Sequence, residues 1–284
     1  MLWNHVRPRR RFGDAPWRNS ALIAALAASA MALPAYAQTD YYNTDAGRPV
    51  RIEDAYPTER YAFELQLAPV RAERSSRGHY AWGIEPEIAY GIFPRTQIEI
   101  GVPLVAIDVP GEPNRSGAAG VEISVLHNLN AETEGLPALG LAAHAVLPAG
   151  AFGPDRAIPS VTALLTRTFS QFRLHANAQY TLADAEDAGS ALEVSEWLAG
   201  VAIDRTLPLR SLLITAEAYA EQPLEEGEQV AWTVGGGMRL QRTPRFALDA
   251  GLGRRVTGPE TGWYVTAGAA YAFAIRSLMP GGAR

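Results

Sequence analysis

Five glutamates, Glu64, Glu85, Glu87, Glu99 and Glu122, stand at positions where they could share one surface. Carboxylates attract cations and can hold hard metal ions through oxygen. Glu85 and Glu87 are two residues apart, which puts them on one face if the chain there is a strand. Further along come Arg173, His175, Gln179, Glu217, Arg239, Asp249 and Arg255. If the strands carrying these residues enclose a common space, one wall is acidic and the opposite wall carries arginines. The resulting transverse field favours cations or polarises a small solute. The opposing expectation is that these charges pair and fill the space. Nucleophilic chemistry requires a nucleophile beside a base. No G-x-S-x-G is present, and Ser124 and His127, the nearest such pair, are three residues apart and so on opposite strand faces. No catalytic residue is assigned. His79, His127, His144 and His175 show no metal-ligand spacing, and with no cysteine in the chain thiolate sites are excluded. Neither metal nor cofactor is expected.

These residues need strands to position them, and the chain supplies the pattern. HYAWGIEPEIAYGIF, residues 79–93, has Tyr80, Trp82, Ile84, Ile88, Tyr90 and Ile92 on even positions, and Glu85 and Glu87 among the odd ones. A period of two is the strand period. Similar alternation fills 97–104, 119–126, 172–182, 246–255 and 263–273. Weaker segments lie at about 60–72, 137–148, 159–169, 196–205, 211–222 and 229–240. Twelve strands result, each near the roughly 9–11 residues a tilted strand needs to cross a bilayer. Gaps alternate in length. Pro94-Arg95, Asn130–Gly135, Ser170-Gln171, Thr206–Leu209 and Gln241–Pro244 are inner turns. Val109–Gly117, Ala149–Ile158, Ala183–Ser195 and Pro223–Glu228 are outer loops, with Ser75–Gly78 as a short exception.

Which face meets water decides the class. One face gathers branched aliphatics and rings: Tyr80, Trp82, Tyr90, Trp197, Trp232, Trp263, Tyr271 and Phe273. Tyr and Trp near strand ends suit a membrane interface. Packing the charged face into a soluble interior would cost several kcal/mol per ion. Turning that face to water gives the rival architecture, a soluble barrel or sandwich. The apolar faces mix Ala and Gly with rings, unlike a close-packed core, and an even strand count closes a barrel without an edge. The expected fold is all-β: a transmembrane antiparallel up-and-down barrel of about 12 strands.

The N-terminus carries Arg7, Arg9, Arg10, Arg11 and Arg18, an apolar run Ala21–Leu33, and Ala35-Tyr36-Ala37. That order reads as a signal peptide, 1–37, cleaved after Ala37. A periplasmic lead-in (38–59), the barrel (60–273) and a C-terminal tail (274–284) follow. Without the leader, 20 arginines face 29 acidic residues, a net charge of −9. An acidic exported chain argues against nucleic acid as a partner. The expected partners are the lipid bilayer, the outer-membrane assembly machinery and a small-molecule solute, with oligomeric state open.

Several stretches resemble a family of outer-membrane transporters named for the MetA pathway of phenol degradation. They are Ile52-Glu53-Asp54-Ala55, Pro86-Glu87-Ile88-Ala89-Tyr90-Gly91-Ile92, Glu99-Ile100-Gly101-Val102-Pro103, Leu147-Pro148-Ala149-Gly150, Leu248-Asp249-Ala250-Gly251 and Gly268-Ala269-Ala270-Tyr271-Ala272-Phe273. The resemblance implies an outer-membrane barrel that passes small or hydrophobic organic compounds, and it implies no catalytic residues. The favoured expectation is non-catalytic passive passage. The alternatives are a non-transporting envelope scaffold or surface-interaction barrel, a membrane-embedded hydrolase, and a soluble periplasmic protein.

Overall fold

The computed structural model describes residues 44–184, 194–207, 210–225 and 227–279. The expected leader, 1–37, and its cleavage point lie outside these residues. Among the described residues, fifteen strands form one sheet. They are β1 (Ala62–Ser75), β2 (Tyr80–Ile84), β3 (Glu87–Phe93), β4 (Thr96–Gly101), β5 (Leu104–Asp108), β6 (Arg115–Ala118), β7 (Val121–Asn130) and β8 (Ala138–Leu147). Then come β9 (Ile158–Thr168), β10 (Arg173–Thr181), β11 (Ser195–Leu207), β12 (Leu212–Pro223), β13 (Ala231–Thr243), β14 (Phe246–Arg255) and β15 (Gly262–Ala274). Strand pairing is antiparallel, and β15 pairs with β1 from Ala62↔Ala274 to Ser75↔Gly262, closing the barrel.

Three crossings come in two pieces: β2 with β3, β4 with β5, and β6 with β7. Two of the breaks fall at Pro86 and Pro103, and a proline has no N–H to give a ladder. The seam holds through Val102 N–H to Pro86 O (3.2 Å) and Ala119 N–H to Pro103 O (2.8 Å). Counted as crossings, the wall is a closed antiparallel barrel of twelve strands. The loop expected over Val109–Gly117 is shorter, because Arg115–Ala118 pairs with β5. The short outer gap is a tight turn closed by Gly78 N–H to Ser75 O (3.1 Å).

Burial is inverted relative to a soluble protein. Trp82 (54%), Leu252 (58%) and Val265 (56%) are exposed outside, whereas His175 and Arg239 inside are fully buried. Apolar surface turned outward around a polar interior is the barrel's solution in lipid. The alternation is not unbroken: a bulge between Leu67 and Pro69 inverts it within β1, so Glu64 and Gln66 face the interior before the bulge whereas Arg74 faces outward after it.

Candidate functional site

The lumen is not empty. Residues 44–59, expected to stand in the periplasm, lie inside the barrel. Ile52, Ala55 and Arg48 are completely buried. The segment forms no ladder, so wall side chains satisfy its backbone. Glu217 accepts from Arg51 N–H (2.7 Å) and Ile52 N–H (3.0 Å). Asn177 bonds both Glu53 N–H (2.8 Å) and Glu53 O (2.9 Å). Thr166 accepts from Ala55 N–H (3.0 Å), Asn128 donates to Ala55 O (2.9 Å), and Gln97 accepts from Thr58 N–H (2.7 Å). Irregular backbone at membrane depth survives only where protein groups supply its hydrogen bonds. Two wall glycines make room. A Cβ on Gly91 would sit 2.1 Å from Glu59 O, and one on Gly251 would sit 2.3 Å from Pro49 O.

Charge anchors the segment at its start. Arg48 meets Asp45 (2.6 Å), Glu64 (3.2 Å) and Asp249 (3.5 Å). Arg239 on β13 meets the same Asp45 (2.9 Å) and Glu64 (3.2 Å). The wall residues Glu64, Arg239 and Asp249 thus form one buried cluster with the inserted chain. Arg173 makes two bonds to Asp204 (3.0 and 2.6 Å) and lies 3.6 Å from Asp54. His175 bridges Asp204 (2.8 Å) and Thr166 (3.0 Å). Arg255 faces Glu221 at 3.7 Å, and Gln179 donates to Thr181 (3.5 Å). The arginines expected to form a basic wall are therefore matched one by one with carboxylates.

The other wall is different. Glu87, Glu99 and Glu122 line a cavity of about 50 Å³ together with Asp45 and Glu53 of the inserted segment and with Gln97, Ser124 and His144. Glu85 lies beside Glu122. Such a cavity has room for a few waters. Among the described residues, no three His, Asp or Glu side chains come together in a metal-holding geometry.

At the inner end, Glu132 in the turn after β7 accepts from Thr168 N–H (2.6 Å), the Thr168 hydroxyl (2.7 Å) and the Tyr56 hydroxyl (3.4 Å). Burial opposes its ionisation, but the Thr168 bonds and the Arg167 charge outweigh it and hold the carboxyl below its usual range.

The rings occupy the outward face in two bands. Tyr80, Trp82, Trp232 and Trp263 are exposed toward the outer end, with Trp197 half-buried there. Tyr90, Tyr271 and Phe273 lie near the inner turns, where Phe63 stacks on Tyr90 (4.3 Å) and on Phe273 (5.2 Å). The sequence singled out neither Arg48 nor Asp204, and Asp54 only within a stretch of family resemblance; nor did it mark Tyr264, whose hydroxyl donates to Glu217 (3.1 Å). The one available signal was the charge density of 45–54 in a stretch without strand period.

A closed twelve-crossing barrel with an apolar exterior and an occluded polar lumen is a β-barrel of the outer-membrane class. The fold is similar to an outer membrane channel from Pseudomonas putida F1, at 12% identity and TM-score 0.51, covering 81% of this chain and 100% of that one. The translocator domain of the autotransporter NalP from Neisseria meningitidis is similar at 11% identity and TM-score 0.47 (76% and 90% covered). The KdgM porin is similar at 10% identity and TM-score 0.45 (75% and 99% covered). The chain belongs to the family described as "Putative MetA-pathway of phenol degradation", which it matches over residues 97–273. No curated protein matches it in sequence.

Proposed function

We propose that this chain is a passive, non-catalytic channel of the outer membrane for small organic solutes, closed at rest by its own residues 44–59. Export by the leader 1–37, cleavage after Ala37 and insertion by the outer-membrane assembly machinery bring it there. The observation that carries the reading is how the segment is held. Side-chain hydrogen bonds and ion pairs fix it, and no strand ladder does, so it can leave without breaking the barrel wall. The wall it would uncover is lined by Glu87, Glu99 and Glu122. Carboxylates there attract cations and accept hydrogen bonds from hydroxyl groups, so small phenolic and cationic solutes fit that wall better than anions.

A second reading, a non-transporting scaffold, is favoured by the completeness of the seal, with Arg48 fully buried among three carboxylates. Liposome swelling separates the two. The channel reading expects a quaternary phenolic cation and, more slowly, a sugar to enter liposomes containing Gly251→Val, the substitution that crowds Pro49, and neither to enter protein-free liposomes. If neither solute enters while trypsin shows the segment displaced, the scaffold reading holds.

A further inference from the structure

The wall arginines Arg173, Arg239 and Arg255 are matched with carboxylates in the lumen, but two arginines on the outside are not. Arg254 of β14 is the direct cross-strand partner of Trp263 on β15. Trp263 is the partner of Arg74 on β1, and Arg74 is the partner of Tyr80 on β2. Direct partners point to the same face, so these four side chains form one row across four adjacent strands. The row faces outward, since Trp263 (55%) and Tyr80 (39%) are exposed. It lies at the outer rim, where β1 ends at Ser75 and β15 begins at Gly262. The Arg254 guanidinium sits 5.0 Å from the Trp263 ring centroid, and that of Arg74 sits 5.5 Å from Tyr80. Among the described residues neither guanidinium has an ion pair or a side-chain hydrogen bond.

We propose that this row binds the phosphorylated headgroup of a lipid in the surrounding outer leaflet. An arginine pointing out of a membrane barrel is costly at mid-bilayer and nearly free at the interface. The rim is where a guanidinium reaches headgroup phosphates. Arginine presents a planar fork of donors that matches a phosphate, and stacking on a ring orients the fork. Two interstrand steps separate Arg74 from Arg254, roughly 10 Å, which spaces two cations across one large headgroup. The ring faces of Trp263 and Tyr80 pack the upper acyl region between them. Arg77 in the adjacent turn adds a third cation. The nearby acids face elsewhere or stand at the edge: Glu260 accepts from Arg77 N–H (3.3 Å) and lies 3.7 Å from His79, while Asp108 of β5 is the partner of Tyr80 at the end of the row.

The test uses the full chain in detergent with diphosphoryl lipid A, the same lipid lacking both phosphates, and inorganic phosphate, read by native mass spectrometry. The wild type is expected to retain the diphosphoryl lipid and to lose the dephosphorylated one. The Arg74→Gln/Arg254→Gln chain should retain the first on the order of tenfold less, with unchanged heat-modifiable migration. Equal retention of both lipids by the wild type, or undiminished retention by the folded double variant, overturns the proposal. Displacement of the lipid by inorganic phosphate at matched concentration makes the row a free-anion site and overturns the lipid assignment. Should the double variant not fold, the wild-type contrast between the two lipids decides.

Discussion

The two walls of the lumen solve the same charge problem in opposite ways. On β10 through β15 and β1, each inward arginine meets a carboxylate: Arg173 with Asp204, Arg239 with Glu64 and Arg255 with Glu221. On β3, β4 and β7, Glu87, Glu99 and Glu122 face one another and the inserted segment. Among the described residues, the ion-pairing group on that side is His144, 3.8 Å from Glu122 and charged only when protonated. A buried pair loses heavily when one partner is removed, whereas an excess of like charges gains when one is neutralised. The first wall is built to hold structure. The second keeps a charge imbalance that helps stability little, and a passage for solutes is where such an imbalance has use.

Breaking the paired side should cost most. Arg48→Ala leaves Asp249 buried without its partner and should weaken docking of residues 44–59 by about 3–5 kcal/mol. Trypsin, to which Arg51 and Arg60 are then open, should cut the variant in detergent and spare the wild type. Asp204→Asn removes the charge shared by Arg173 and His175. It should lower barrel stability by about 2–3 kcal/mol, the residue Asp54 keeping part of the Arg173 contact. The midpoint of heat-modifiable gel migration reports that loss.

The acidic side should respond otherwise. Glu99→Gln is expected to change the same midpoint by less than about 1 kcal/mol, or to raise it, because it removes like-charge repulsion. In the Gly251→Val background it should shift the reversal potential in a KCl gradient toward lower cation selectivity. An unchanged potential would remove the field from the account. The smallest effect concerns Glu132, whose carboxyl is held below its ordinary value. The stabilisation it gives the Tyr56 contact is complete above that ordinary value and is lost as pH falls through the lowered one. Hydrogen-exchange protection factors at Ala55, Tyr56 and Thr58, corrected for the intrinsic pH dependence of exchange, should therefore be flat from neutrality to about pH 5 and fall only below it.

The wall was legible in the sequence because a period of two is a local signal, carried by neighbours such as Trp82, Ile84, Glu85 and Glu87. Turn positions were legible only to within a few residues: Arg115–Ala118 pairs with β5 inside the end of the expected loop Val109–Gly117, and β13 runs on to Thr243 inside the expected turn Gln241–Pro244. The inserted segment was not legible. Residues 44–59 have no period, and their partners are far away in sequence, as Arg51 is from Glu217. The clearances at Gly91 and Gly251 exist only once strands are aligned. Asp204 was visible as one more acid on a strand; its role needs the register that sets it opposite Arg173.

Planar-bilayer conductance of the full chain beside Gly251→Val is the most direct test that residues 44–59 close a conducting barrel. The wild type should be mostly silent, and the variant should conduct with K⁺ favoured over Cl⁻. A variant as silent as the wild type, with its segment shown by trypsin to be displaced, would contradict the channel.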